Sequence, residues 1–185
     1  GGVGSGKSRV LEILKEEYGF RVIQADQVAK DLMQPGQESY RAVVDFLGPS
    51  ILNEDGTINR PAMAQVIFGC PDKRVQVDRL THPLVWNTAF GEALACPEPL
   101  VVIEAAIPSK EFRDNCGEMW YVYTSRENRL ERLKANRGYT REKTLSIMDN
   151  QVSDEVFRSF CDSVIDNNKS LEETKKQIAA LMQHI

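Results

Sequence analysis

Gly1-Gly2-Val3-Gly4-Ser5-Gly6-Lys7-Ser8 opens the chain, and its reading decides the fold. The octapeptide fits G-x-x-x-x-G-K-[ST], the phosphate-binding P-loop. Its glycines let the backbone turn tightly and bring successive N–H groups toward an anion. Lys7 is placed to reach β- and γ-phosphate oxygens, and the Ser8 hydroxyl suits Mg²⁺. The residues that follow, Ser8 to Tyr18, carry apolar side chains at 10, 11, 13, 14 and 18. That spacing predicts a helix whose N-terminal dipole points at the phosphates. A P-loop follows a strand, so about five or six strand residues are expected ahead of Gly1, trimmed from the sequence as given.

The rest of the chain alternates strand and helix patterns. Phe20–Ile23 reads as a short strand leading to Asp26, followed by a helix over Gln27–Met33. In open parallel sheets ligand chemistry gathers at the carboxyl ends of strands. Asp26 therefore has two readings at this point: a carboxylate that accepts a hydroxyl proton or holds Mg²⁺, or a helix cap. Residues 36–96 read as a mainly helical insertion. It comprises a helix over Gln37–Leu47, another over Pro61–Phe68, and a longer stretch over Asp72–Ala95 interrupted at Thr81-His82-Pro83. A break there would let His82 face a cleft; a purely structural histidine is the other reading.

Pro99–Glu104 is an apolar strand pattern ending in an acid, the arrangement that delivers a carboxylate near Mg²⁺. Glu118–Thr124 and Asp162–Asn167 read as further strands, and Arg126–Asn136 and Thr140–Gln151 as helices. Arg126, Arg129, Arg132, Arg137 and Arg141 crowd that helical pair. They read as a solvated face or as a lid closing over a triphosphate. Ser170-Leu171-Glu172-Glu173 is a capping box opening a terminal helix.

These elements predict an α/β, three-layer P-loop core with a parallel sheet, a helical acceptor-binding insertion and Arg-rich lid helices. The core is expected at 1–35, 97–125 and 152–185, the insertion at 36–96 and the lid at 126–151. With 185 residues, 42% hydrophobic and 27% charged, the composition is that of an ordinary globular chain. A net charge of −4 argues against nucleic acid as a main partner. No apolar run reaches membrane-spanning length and no signal peptide is visible, so a cytoplasmic protein is expected. The four cysteines form no C-x-x-C pair, which predicts neither a zinc site nor a disulfide framework.

Three classes of P-loop protein compete. A GTPase switch needs Asn-Lys-x-Asp, and the nearest match, Asn168-Lys169-Ser170-Leu171, lacks the Asp. An ATP-driven machine would bring a longer chain and an Asp-Glu strand end. A compact core with an insertion and an Arg-rich lid is the logic of a small-molecule kinase, in which closure excludes water.

Nearly end to end, the chain resembles the dephospho-CoA kinase family. Gly1–Ser8 matches the family's GGxGSGKS loop, and Val22-Ile23-Gln24-Ala25-Asp26 its V-I-D-A-D segment, with Gln24 replacing the first Asp. His82-Pro83-Leu84 matches its His-Pro segment. Thr140-Arg141-Glu142 and Gln151 match its lid helices, and Val164-Ile165-Asp166-Asn167-Asn168 its last strand. Asn136-Arg137-Gly138 departs from the family's Arg-Asp-Gly, and Val102–Ala106 departs from Val-Pro-Leu-Leu around Glu104.

The resemblance implies transfer of the γ-phosphoryl group of ATP to the ribose 3′-hydroxyl of dephospho-CoA. Gly2, Val3, Gly4, Ser5, Gly6, Lys7 and Ser8 would bind ATP, with Ser8 on Mg²⁺ and Asn167 near the adenine. Asp26 would act as the base, Lys7 with Arg137 or Arg141 on the transferring group, and His82 and Glu104 on the acceptor side. A monomer or weak homo-oligomer is expected. The alternative is a related P-loop kinase acting on a nucleoside, a nucleotide or a sugar acid.

Overall fold

The computed structural model describes residues 1–185. In chain order the elements are α1 (Lys7–Tyr18), β1 (Arg21–Gln24), α2 (Ala25–Leu32), α3 (Glu38–Leu47), α4 (Arg60–Phe68), α5 (Pro71–Ala95) and β2 (Val101–Glu104). They continue with α6 (Lys110–Asn115), β3 (Trp120–Tyr123), α7 (Arg126–Arg137), α8 (Arg141–Asp149), α9 (Asp154–Phe160), β4 (Ser163–Asp166) and α10 (Leu171–Leu181). Short polar residues start many of the helices. The side chains of Asn59, Ser109, Ser125, Thr140, Ser153 and Ser170 each accept a backbone N–H from the first turn. Each satisfies a donor that the helix itself leaves unpaired.

The chain divides into two compact units, Phe20–Ala105, and Gly1–Gly19 with Ala106–Ile185. In the first, β1 and β2 pair in parallel with Arg21 opposite Val101 and Gln24 opposite Glu104. One core joins Ile23, Ala25, Val28 and Leu32 to Val85 and Ala89 of α5. A second gathers Val43, Ile51 and Val77 with Met63 and Leu52 around them. Helix α5 serves both cores, with Val77 in one and Val85 and Ala89 in the other.

That shared role corrects the expected break at Thr81-His82-Pro83. Helix α5 runs unbroken from Pro71 to Ala95 with Pro83 inside it. An internal proline costs about 3 kcal/mol or more. Burial of apolar side chains on both sides of Pro83 outweighs that cost and keeps the helix continuous. Two further helices, α6 and α9, and a 3₁₀ turn at Pro49–Ile51 lie where no regular element was expected.

In the other unit β3 and β4 pair in parallel, from Trp120 opposite Ser163 to Tyr123 opposite Asp166. The parallel strands of the chain thus form two pairs, β1–β2 and β3–β4. Ile165 of β4 and Ile178 of α10 are fully buried, as are Val10, Ile13 and Leu14 of α1. Leu130, Leu133 and Met148 form a cluster that takes in Val3, Tyr139 and Leu145. Helix α9 docks on β3 through Phe157, whose ring stacks on Tyr121 with centroids 4.8 Å apart. The Tyr121 hydroxyl donates to Asp154 Oδ1 at 2.5 Å.

Truncating Ile165 to alanine leaves a cavity in a fully enclosed site, and Ile165→Ala should destabilise the protein by about 2–5 kcal/mol in urea unfolding. Burial, then the hydrogen bond and charge of Asp154, push the Tyr121 phenol well above its ordinary value. The unfolded chain loses that proton near pH 10 while the native state keeps it. The stabilisation from this group is therefore complete below about pH 10 and is lost as pH rises further. Tyr121→Phe should flatten the alkaline fall in unfolding midpoint.

Candidate active site

Ser5 and Gly6 give the loop its shape. Gly6 is the N-cap of α1, with φ +89°, and its carbonyl accepts from Arg9 and Val10. Few non-glycine residues adopt that conformation. A Cβ at Gly6 would also lie 2.1 Å from Asn167 Nδ2. Asn167 is buried, donates through Nδ2 to Ser5 O at 2.8 Å, and accepts the Thr174 hydroxyl on Oδ1 at 2.8 Å. The Thr124 hydroxyl also donates to Ser5 O, at 2.9 Å. Arg132 closes the network, with Nη2 on Asn167 O at 2.6 Å and Nη1 on Thr124 Oγ1 at 3.2 Å. The Ser5 peptide is thereby pinned from β3's exit and from the loop after β4.

The N-terminus of α1 directs the positive end of its dipole out beyond the loop. Lys7 folds over this end of the loop, its ammonium donating to Gly1 O at 2.6 Å and Gly2 O at 3.5 Å. Ser8 stands exposed in the same turn. A cationic head, a hydroxyl and aligned amide dipoles at one helix terminus make an anion site suited to phosphate.

Val3 is held from the far side. Arg129 Nε donates to Val3 O at 2.8 Å, and Gln151 Oε1 accepts Val3 N–H at 3.2 Å. Arg129 Nη2 also donates to Gln151 Oε1. Burial weakens the hold of the Arg129 guanidinium on its proton, and Tyr121 and Asp154 act in the opposite direction.

Of the expected arginines, Arg137 and Arg141 stand exposed at the end of α7 and the start of α8, on either side of the 138–140 loop. The guanidinium groups bonded to the P-loop and to the Asn167 segment belong to Arg129 and Arg132. Spacing groups all five arginines in the sequence, and the family resemblance singles out Arg137 and Arg141 rather than Arg129 and Arg132. The separating signal is helical phase, because residues 129 and 132 flank the buried Leu130 and Leu133 on α7. Thr124 and Thr174 were missed; lone threonines at a strand exit and in a helix carry no motif.

In the Phe20–Ala105 unit, the helix after β1 starts at Ala25 with Gln24 as its N-cap. Asp26 thus lies in the first turn, exposed, and the reading of it as the cap is corrected. Glu104 ends β2, opposite Gln24. The two acids therefore stand at the carboxyl ends of neighbouring parallel strands. His82 lies on the continuous helix α5 rather than at a break. Its Nε2 is 3.9 Å from Asp78 Oδ1, and its ring centroid is 6.2 Å from that of Trp86. Both partners are one helical turn away, so the expectation of a disrupted helix around His82 is withdrawn.

A glycine loop at a helix N-terminus, a lysine folded over it and parallel strands flanked by helices define a P-loop kinase frame. A solved structure from Thermus thermophilus shares it with a TM-score of 0.79 at 25% identity, covering 100% of this chain and 94% of that one. The family model described as dephospho-CoA kinase matches residues 1–173. The dephospho-CoA kinase of Streptococcus mutans is 33% identical, over 100% of this chain and 94% of the relative. That of Carboxydothermus hydrogenoformans is 35% identical, over 99% and 90%. The chain belongs to the dephospho-CoA kinase family, kinases that transfer phosphate from ATP to an alcohol.

Gly6→Ala should displace the Asn167 amide and strain the loop by about 1–3 kcal/mol. The expected outcome is a lower unfolding temperature together with weakened ATP binding in calorimetry.

Proposed function

We propose that this enzyme moves the γ-phosphoryl group of ATP to the ribose 3′-hydroxyl of dephospho-CoA. The observation that carries the reading is the built phosphate cradle, Gly1 to Ser8, in a chain matched to this kinase family almost throughout. Backbone N–H groups of the loop and Lys7 hold the β- and γ-phosphates. Ser8 would supply a hard oxygen donor to Mg²⁺. The metal, when bound, neutralises charge on the transferring group. Asn167 lies near the adenine.

Asp26 orients the acceptor hydroxyl and takes its proton. Its exposed carboxylate at a strand end is open to a second substrate. Glu104 and His82 contribute to the acceptor side, within or beside the helical segment 36–96. Arg137 and Arg141 close over the transferring phosphoryl as the segment 126–151 folds down. Positioning and charge neutralisation supply most of the acceleration in such reactions. No helix is long and apolar enough to cross a membrane. A cytoplasmic monomer or weak homo-oligomer is the setting we propose.

ADP release from ATP and Mg²⁺, measured with and without dephospho-CoA, tests the reaction. Release that requires the acceptor and vanishes on chelation of Mg²⁺ is expected; release indifferent to dephospho-CoA would overturn the acceptor assignment. Asp26→Asn should lower kcat by about 10²–10⁴-fold while ATP still binds. Lys7→Ala should lower kcat/KM by about 10²–10³-fold, the scale of losing one charge-stabilising group.

A further inference from the structure

We propose that Gln151 and Arg129 are positioning residues that hold the P-loop in its ATP-binding shape by gripping Val3. The inference rests on the phosphate-binding role proposed for that loop. The contacts close a ring: Val3 N–H donates to Gln151 Oε1, Arg129 Nη2 donates to the same oxygen, and Arg129 Nε donates to Val3 O. Both polar groups of one residue are thus bonded to side chains 148 and 126 positions away in sequence. The Val3 side chain is fixed as well, packed against the Leu130, Leu133 and Met148 cluster.

Gly2 points to the same device. A Cβ there would fall 2.5 Å from Gln151 Oε1 and 2.6 Å from Arg129 Nη2. A glycine is needed at position 2 for the two side chains to reach the Val3 backbone. The obstructing atoms are the far ends of flexible side chains, so a methyl group at Gly2 pushes the grip away and leaves the fold intact.

The Asp154 carboxylate opposes the effect of burial on the Arg129 guanidinium. Gln151 lies two residues beyond the end of α8, so a shift of α8 against the loop strains the Val3 bond. The position of the α7–α8 pair and the shape of the phosphate cradle are therefore linked through Gln151 Oε1 and the Arg129 guanidinium. The grip acts on the nucleotide side of the reaction and touches neither substrate.

The test compares the full chain with Gln151→Ala, Gln151→Glu, Gly2→Ala and the Gly2→Ala/Gln151→Ala double variant. ATP affinity is read by calorimetry, KM for ATP and for dephospho-CoA by steady-state kinetics, and folding by thermal unfolding. Gln151→Ala should raise the Kd and KM for ATP about tenfold, the scale of a lost hydrogen bond to a charged partner. KM for dephospho-CoA should stay within about twofold. Gln151→Glu should restore ATP binding, because both bonds end on an oxygen that a carboxylate retains, now paired with Arg129. The double variant should be no worse than Gly2→Ala alone, since that change already displaces the grip.

Unchanged ATP affinity in a folded Gln151→Ala protein would overturn the proposal, as would a Gln151→Glu variant as impaired as Gln151→Ala. If Gln151→Ala fails to fold, Gly2→Ala decides: normal ATP affinity there overturns the proposal as well. Failure of the wild-type protein itself to bind ATP would instead overturn the reading of the loop, which separates the two claims.

Discussion

The side-chain amide of Asn167 occupies the space where any residue but glycine at position 6 would place its Cβ. It donates to Ser5 O and accepts from Thr174, both within the buried interior. Buried polar groups are costly without partners, and here the amide nitrogen and the amide oxygen each have one. The left-handed turn at Gly6, the start of α1 and the direction of its first N–H groups follow from that contact. An anion site at a helix N-terminus works only if the amides are fixed before the ligand arrives, so that binding energy is not spent on ordering the loop.

Around this contact the second unit arranges its positive charge at two distances. Arg129 and Arg132 lie inside, each bonded to backbone carbonyls, with Arg132 reaching both Thr124 and the Asn167 carbonyl. Arg137 and Arg141 stand outside at facing helix ends. Guanidinium groups committed to backbone carbonyls shape a site, whereas exposed ones remain available to a passing phosphoryl group. Helix α9 is bound to β3 by the hydrogen bond from Tyr121 to Asp154 and by the stacking of Phe157 on the Tyr121 ring.

In the Phe20–Ala105 unit a long helix does the organising. Helix α5 carries Val77 into one core and Val85 and Ala89 into the other. Its continuity through Pro83 keeps His82 in register with Asp78 and Trp86. The neighbouring strands β1 and β2, paired in parallel register, bring the segments bearing Asp26 and Glu104 to one edge of the sheet. Parallel pairing aligns carboxyl ends, and carboxyl ends are where open α/β sheets place their chemistry.

The P-loop, most strands and the Ser170 capping box were determined by the sequence alone, because each depends on residues close together in the chain. Spacing of glycines, a cap followed by an apolar period, and β-branched runs are local signals. The motif order along the chain likewise points to the kinase family. Tertiary structure decided what local signals could not. The proline that predicts a break is overridden by apolar burial on both sides of it. The arginines that meet the loop are 129 and 132, since helical phase fixes which residues share a face but not what that face meets. Gln151, Thr124 and Thr174 gain their roles only when residues more than a hundred positions apart, or on different elements, are brought within hydrogen-bond distance.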